Sequence, residues 1–271
     1  MMELNNRIQS LAESHGADYY GVADLAVARD FLREYGGEVI GQYPRAVVIG
    51  IALLDTLVDL LPDREDNAAA TLYRHHCYDV VNQALDLVAL QVANTIQREG
   101  YRAIPIPASK RTSDVKIAGP VSHKLAAHLA GLGWIGKSCL LVTPDRGPRV
   151  RWVTVLTDAP LEPTGTPMPS RCGECEECVR ACPVGAFTGR AFQPDEPREA
   201  RFDAAACDRY FKSLEQEGRV AVCGMCLYIC PHGRKKEHEK IRMPDLPLSK
   251  SSTPERSIAG IVAGLTVRID A

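Results

Sequence analysis

The chain has no apolar run long enough to cross a bilayer. Its longest, Val47 to Leu54 and Ile258 to Val267, fall well short of the roughly 18 residues a membrane helix needs. The opening residues, Met1-Met2-Glu3-Leu4-Asn5-Asn6-Arg7, lack the apolar core of a secretory signal. An excess of one charge is also missing: 32 Lys and Arg stand against 34 Asp and Glu, a formal net charge of −2. That weighs against nucleic acid as the main partner, because phosphate binding calls for a basic surplus. Repeats of solenoid length are absent. What remains is a chain of 271 residues, 45% apolar and 24% charged. Such a composition is ordinary for a globular protein and leaves room for one large core and a small satellite. A soluble cytoplasmic protein without membrane contact is expected.

Cysteine, by contrast, is plentiful, with ten in the chain. Disulfides are rare in a reducing compartment, so these cysteines read as metal ligands, and their spacing decides which metal. The strongest run is Cys172-Gly-Glu-Cys175-Glu-Glu-Cys178-Val-Arg-Ala-Cys182-Pro183. This C-x2-C-x2-C-x3-C-P pattern is that of bacterial two-cluster ferredoxins. Three close thiolates can hold three corners of one iron–sulfur cube, while the fourth cysteine is carried away to the other cluster. Pro183 lacks an N–H and helps turn the chain out of the loop.

A second set follows: Cys207, then Cys223-Gly-Met-Cys226-Leu-Tyr-Ile-Cys230-Pro231. It repeats the end of the first run, but its leading cysteine is missing, because Val220 stands there. Cys207 is the natural replacement. The expected assignment puts Cys172, Cys175, Cys178 and Cys230 on one [4Fe–4S] cluster, and Cys182, Cys207, Cys223 and Cys226 on the other. Zinc is the alternative for an all-cysteine site, yet zinc ribbons show two separated C-x2-C pairs rather than a triplet with an outlying C-P. Cys77 and Cys139 are left over and read as core thiols.

The rest of the chain alternates helical and extended patterns, which argues for an α/β domain. Residues 3–15 carry Leu4, Ile8 and Leu11 on one face, with Gly16 as a stop. Tyr19 to Asp24 and Ala46 to Leu54 read as strands, the second of the fully buried type. Between them a helix is expected around Ala26 to Glu34, ended by Gly36-Gly37. Residues 71–98 form the longest helix candidate, followed by a strand over Arg102 to Ile106 and a helix over Val121 to Ala130. Leu140 to Thr143 and Arg151 to Thr157 flank Pro144-Asp145-Arg146-Gly147-Pro148 and read as a hairpin. A proline-rich linker, residues 159–167, marks a boundary. The expected division is an α/β domain over 1–160, a two-[4Fe–4S] ferredoxin-like domain over 161–240 and a tail over 241–271. Residues 234–240 carry mixed charge and read as a solvated face.

One further segment carries a likeness: Leu129-Ala-Gly131-Leu-Gly133-Trp134-Ile-Gly136-Lys137. It is joined by Leu141-Val-Thr143-Pro144, Val155-Leu-Thr157-Asp158-Ala-Pro160-Leu161, Gly16-Ala-Asp-Tyr-Tyr-Gly21-Val-Ala23-Asp24 and both cysteine runs. Together these resemble the epoxyqueuosine reductase family, itself related to the cobalamin-dependent reductive dehalogenases. The resemblance covers most of residues 1–235. It implies a corrinoid on the α/β domain, supplied with electrons by the nearer cluster. Gly131, Gly133 and Gly136 would then let backbone approach a flat macrocycle, with Trp134 packing on it and Lys137 reaching a carboxamide or phosphate. The alternative is a tight turn whose glycines serve geometry alone.

The chain departs from the family where the queuosine enzymes place an acidic proton donor. Alignment on Pro120-Val121 and the glycine segment puts Ile117 there, and an aliphatic side chain cannot give a proton. Asp114 lies three residues upstream. Weaker candidates for a catalytic role are Tyr73, His76 and His123, with His75 and His128 nearby in sequence; Lys110 and Arg111 are candidates for holding an anion. The leading expectation is a corrinoid-dependent oxidoreductase fed by a donor such as a ferredoxin or flavodoxin. It would act on a small molecule or a corrinoid protein, tRNA being the less favoured substrate. An electron-transfer or corrinoid-handling protein without a substrate of its own, and a plain two-cluster ferredoxin with a docking domain, are the competing expectations.

Overall fold

Helix α1 (Met2–Ser14) puts Ile8 and Ala12 fully inside. Gly16, at φ 87°, ends it and turns the chain into strand β1 (Tyr19–Asp24). The structure is a computed structural model and describes residues 2–234. The expected tail over 241–271 and most of the charged stretch 234–240 lie outside the described residues.

Helix α2 (Arg29–Gly41) follows a short 3-10 turn. It does not stop at Gly36-Gly37 as the glycine pair suggests. Gly37 takes φ 79° and ψ 178°, so the chain kinks there and the helix resumes to Gly41. Strand β2 (Arg45–Ala52) leads to the single turn α3 (Asp55–Val58). Helix α4 (Asn67–Arg74) is capped by the Asp66 carboxylate, which accepts from the Ala68 amide. A π-helical turn over His75–Val80 joins it to α5 (Val81–Arg98). The long helix expected over 71–98 is therefore two helices around a wider turn. That turn keeps Tyr73 and Cys77 buried together and brings Tyr78 under the Arg151 guanidinium, 3.5 Å from its ring centre.

Strand β3 (Ala103–Ile106) precedes α6 (His123–Leu129), whose first turn is capped by the Ser122 hydroxyl accepting from the Leu125 amide. Short strands β4 (Trp134–Ile135) and β5 (Leu141–Val142) pair with each other. The long strand β6 (Val150–Thr157) then enters the main sheet. The hairpin expected between Leu140 and Thr157 is not made. Residues 143–147 close on themselves through an isolated Thr143–Gly147 bridge, while β6 pairs with β2 and β3. Those distant partners pair β6 along both edges, which places it in the middle of the sheet where helices cover both faces.

The main sheet has four strands in the order β1-β2-β6-β3, and every pair is antiparallel. Alternation sends Val47, Ile49, Val153 and Val155 to one face, against α1 and α5. Ala46, Val48, Trp152 and Leu156 go to the other, against α2 and α6. Each fully buried Val, Ile or Leu contributes roughly 1.5–3 kcal/mol of transfer free energy, so both layers of helices are held by the sheet. Parallel strands are not needed for continuous apolar runs here, because helices cover both faces.

The segment expected as a linker is packed rather than free. Ala159 and Leu161 are buried, and Thr164 donates its amide to the Val22 carbonyl at 3.0 Å. Beyond it come the single turns α7 (Glu177–Arg180) and α9 (Met225–Tyr228), with helix α8 (Ala204–Gln216) between them. A third apolar cluster ties this region to the body: Leu53, Leu61, Ala70, Tyr73 and Cys77 pack with Val222 and Leu227. No helix among the described residues is long and apolar enough to cross a membrane.

Candidate metal centre and adjoining cavity

The first cysteine run folds as a tight loop, with the Cys175 amide donating to the Cys172 carbonyl at 2.9 Å and Gly173 at φ 48°. The turn α7 carries Cys178, and the chain then leaves through Cys182-Pro183. The second run turns at Gly224, φ 66°, into α9, which bears Cys226. Cys207 is supplied by the first turns of α8, capped by Asp203.

These elements bring the cysteines into two groups. Burial, together with Cys230, Cys172 and Cys175 nearby, pushes the Cys178 thiol up to about 11. Burial followed by Cys223 and Cys182 pushes Cys207 up to about 11 as well. Cys226 rises further, through burial and then Cys223, Cys207 and Cys182. Cys230, from the second run, thus lies among the cysteines of the first, and Cys182 lies among those of the second.

Four crowded, half-buried thiols cannot all ionise without compensating positive charge, which iron supplies. Amide donors face the sulfurs as well. Ala186 gives its N–H to Cys182 Sγ at 3.3 Å, Met225 to Cys223, and His232 and Gly233 to Cys230. Such N–H···S bonds are among those that tune cluster potentials. Among the described residues, no three His, Cys, Asp or Glu side chains converge on a single ion. A four-iron cube does not need that convergence, since each cysteine binds a different iron. The residues present fit two such clusters.

The glycine segment lies beside the first group. Trp134 is 1% exposed, between Arg171, 5.5 Å from its ring, and His232 at 4.9 Å. Its indole Nε1 is buried without a hydrogen-bond partner among the described residues, next to residues that flank Cys172 and Cys230. The space that each missing Cβ opens is taken by the chain itself. A Cβ on Gly131 would meet the Thr166 amide nitrogen at 2.9 Å, one on Gly133 the Val142 carbonyl oxygen at 2.3 Å, and one on Gly136 the Val142 side chain at 2.9 Å. These close approaches are made within the chain, by Gly133 and Gly136 to Val142 where β4 and β5 fold back on each other, and by Gly131 to Gly165 and Thr166. Gly133→Ala is expected to destabilise the protein by about 1–3 kcal/mol through this clash, read as a lowered midpoint of thermal unfolding. An unchanged midpoint would show that the β4–β5 turn relaxes freely.

Open space lies elsewhere. A cavity of about 520 Å³ is walled by Val27, Phe31, Ile117, Leu125 and Phe192, with Lys124, His123, His128, Cys139, Glu196, Arg198 and Arg201 at its polar points. Gly131, Gly133, Trp134, Gly136 and Lys137 do not line it, and neither do Tyr73 or His76. Tyr73 instead packs toward Gly224, whose Cβ would lie 3.4 Å from its hydroxyl, while His76 is exposed. Ile117 reaches the wall with φ 48°, a left-handed backbone uncommon for a branched residue. Arg198 holds that loop by donating to the Ile117 carbonyl at 3.1 Å. Asp114 is exposed and does not line the cavity. Lys110 is exposed too, and Arg111 is paired with Asp208.

His123 lies on the wall with both ring nitrogens engaged. A carbonyl only accepts, so Nε2–H donates to Pro107 at 3.1 Å, leaving Nδ1 to accept from the Thr154 hydroxyl at 2.8 Å. Burial pulls its pKa down to about 4, so at neutral pH it carries no charge. His128 donates Nδ1–H to the Gly133 carbonyl at 2.9 Å and meets Phe192 edge to face. Lys124 sits within electrostatic range of Cys226, and burial lowers its pKa. The cavity wall thus comes within electrostatic range of Cys226, although none of the eight clustered cysteines lines the cavity. Phe192, Glu196, Arg198 and Arg201 were not legible beforehand, for they lie in irregular chain with no periodic or spacing signal.

Comparison with known proteins agrees with the cysteine geometry. Residues 171–233 match the family described as a 4Fe-4S double cluster binding domain. An epoxyqueuosine reductase of Listeria monocytogenes is 29% identical over 170 residues, covering 56% of this chain and 42% of that protein. The chain is similar to epoxyqueuosine reductases over about half its length. Among solved structures, a catabolic reductive dehalogenase superposes with a TM-score of 0.61 at 22% identity, over 84% of this chain and 31% of the other. An epoxyqueuosine reductase holding an epoxyqueuosine-modified tRNA stem loop superposes at 0.52 and 20% identity, over 86% of this chain and 66% of the other. At these identities the structural likeness is one of fold. The chain spans less than half the length of its Listeria relative.

Proposed function

We propose that this protein is an iron–sulfur reductase that passes electrons from two [4Fe–4S] clusters to a corrinoid held in the cavity, for reduction of a bound substrate. Cys172, Cys175, Cys178 and Cys230 would hold one cluster, and Cys182, Cys207, Cys223 and Cys226 the other. The observation that carries this reading is the cavity itself, whose wall residue Lys124 lies within electrostatic range of Cys226. The wall residues fit a corrinoid's mixed surface. Val27, Phe31 and Leu125 offer apolar area to a macrocycle, and the buried, unpartnered Glu196 Oε2 offers an acceptor to a carboxamide N–H. When bound, the corrinoid supplies a reducible cobalt, and the cofactor carries the hard chemistry. The chain's own part is to shield the site, orient both partners and manage protons.

Proton supply marks the difference from the queuosine enzymes. Ile117 carries no acid, and His123 is neutral at pH 7 with both ring nitrogens occupied. This favours a substrate other than epoxyqueuosine in tRNA, or a second reading in which the protein reduces and hands over a corrinoid without a substrate of its own.

The test is anaerobic reconstitution of the clusters followed by titration with hydroxocobalamin. A changed cobalamin spectrum, co-elution, and reduction by dithionite-reduced protein are expected. Cobalamin that elutes free with an unaltered spectrum would rule out both corrinoid readings and leave a two-cluster ferredoxin. Turnover of epoxyqueuosine-containing tRNA by the loaded protein would restore the queuosine reaction.

A further inference from the structure

The cavity wall carries more positive charge than the chain neutralises. Arg201 is 6% exposed, its guanidinium lies 4.7 Å over the Phe192 ring, and its Nε has no hydrogen-bond partner. Lys124 donates one of its three ammonium protons to the Cys139 carbonyl at 2.6 Å. Among the described residues, neither cation has a carboxylate partner. The other charged residues of the wall are already engaged. Arg198 is tied to Glu199 and to the carbonyls of Lys116 and Ile117, and Glu196 is paired with Arg190 through Oε1, its Oε2 having no partner among the described residues. Lys124 lies within electrostatic range of both Arg198 and Arg201, so these cations repel one another.

Buried charge without a partner is costly, and removing its compensation leaves several kcal/mol unmet. Such an arrangement persists at a site when a ligand brings the missing charge. We propose that Lys124 and Arg201 form a clamp for an oxyanion, and that the cavity takes an organic carboxylate whose apolar body lies against Ile117 and Phe192. This rests on the cavity being the substrate site of the proposed reductase, and it names the substrate class. A second source of the same chemistry exists: the phosphodiester in the nucleotide loop of a cobalamin.

Cluster-loaded protein without corrinoid is titrated calorimetrically with 2-naphthoate and with its neutral isostere 2-naphthamide. The acid is expected to bind at least tenfold more tightly than the amide. Arg201→Met and Lys124→Met are each expected to weaken the acid by about 10–100-fold, the range for a lost charged hydrogen bond. Equal binding of acid and amide, or binding of neither, would overturn the clamp. That comparison uses the unaltered protein and does not depend on whether a variant folds. Parallel titrations use hydroxocobalamin and dicyanocobinamide, which lacks the phosphodiester. If Arg201→Met weakens the first and spares the second, and naphthoate does not bind, the anion belongs to the corrinoid and the carboxylate substrate is overturned. Cobalamin binding without naphthoate binding leaves the reductase reading standing, whereas loss of both removes the two together.

Discussion

Replacing Cys182 with alanine should abolish the cluster of the second cysteine run while leaving that of the run it belongs to. Iron should fall from about eight to about four atoms per chain, as each cube holds four. The reason is the crossed grouping: Cys182 lies with Cys207 and Cys223, and Cys230 lies with Cys172 and Cys175. Electron paramagnetic resonance of reduced protein can tell which cluster survives. Cys182→Ala and Cys223→Ala should leave the same signal, and Cys230→Ala and Cys175→Ala the other. Should Cys182→Ala and Cys175→Ala leave identical signals, the ligands are not exchanged and the assignment is wrong.

Arg149→Met should cost about 3–5 kcal/mol, the usual penalty for removing one side of a buried ion pair. The Arg149 side chain is 4% exposed and holds Asp55 at 3.1 Å and Asp59 at 2.8 Å. Its stem also runs beneath the cluster loop: a Cβ on Gly233 would lie 3.2 Å from Arg149 Cγ. The variant therefore disturbs the α3 turn and the chain just after Cys230 together. For a unit of this size 1 kcal/mol moves the unfolding midpoint by roughly 2–4 °C, so a fall of about 6–20 °C is expected by circular dichroism. Arg146 supplies the comparison. It pairs with the same Asp55 at 3.0 Å but is 30% exposed, and Arg146→Met should cost about 1 kcal/mol or less. Similar midpoints for the two variants would show that burial does not set the strength of this network.

Local elements were readable where local chemistry governs them. Strand β1 has the expected bounds, and Ser122 and Leu125 mark the start of α6 through a side-chain cap. The helix through 71–98 was legible as apolar periodicity, yet its π-helical turn was not, because that turn serves the packing of Tyr73 and Cys77 against Val222 and Leu227. The partner of β6 was misjudged for a similar reason. A proline-glycine turn beside an extended run suggests a hairpin, but Val153 and Val155 are buried most fully between β2 and β3. Glycines 131, 133 and 136 do mark close approach, but their neighbours are set by tertiary structure: Val142 of β5 for Gly133 and Gly136, and Gly165 and Thr166 for Gly131.

Two cysteine runs with proline behind each were enough to state the metal chemistry, since three thiolates two residues apart can reach one cube by themselves. The exchange of Cys182 and Cys230 and the recruitment of Cys207 are expected from the motif too, and α8 is the element that carries Cys207 to the second group. The cavity depended on tertiary structure altogether. Its wall draws on Val27 and Phe31, on the loop around Ile117, and on Phe192 and Arg201, three segments with no spacing relation to one another. Covalent proximity makes a ligand motif visible in sequence; two cations facing one space without a carboxylate among the described residues become visible only in the fold.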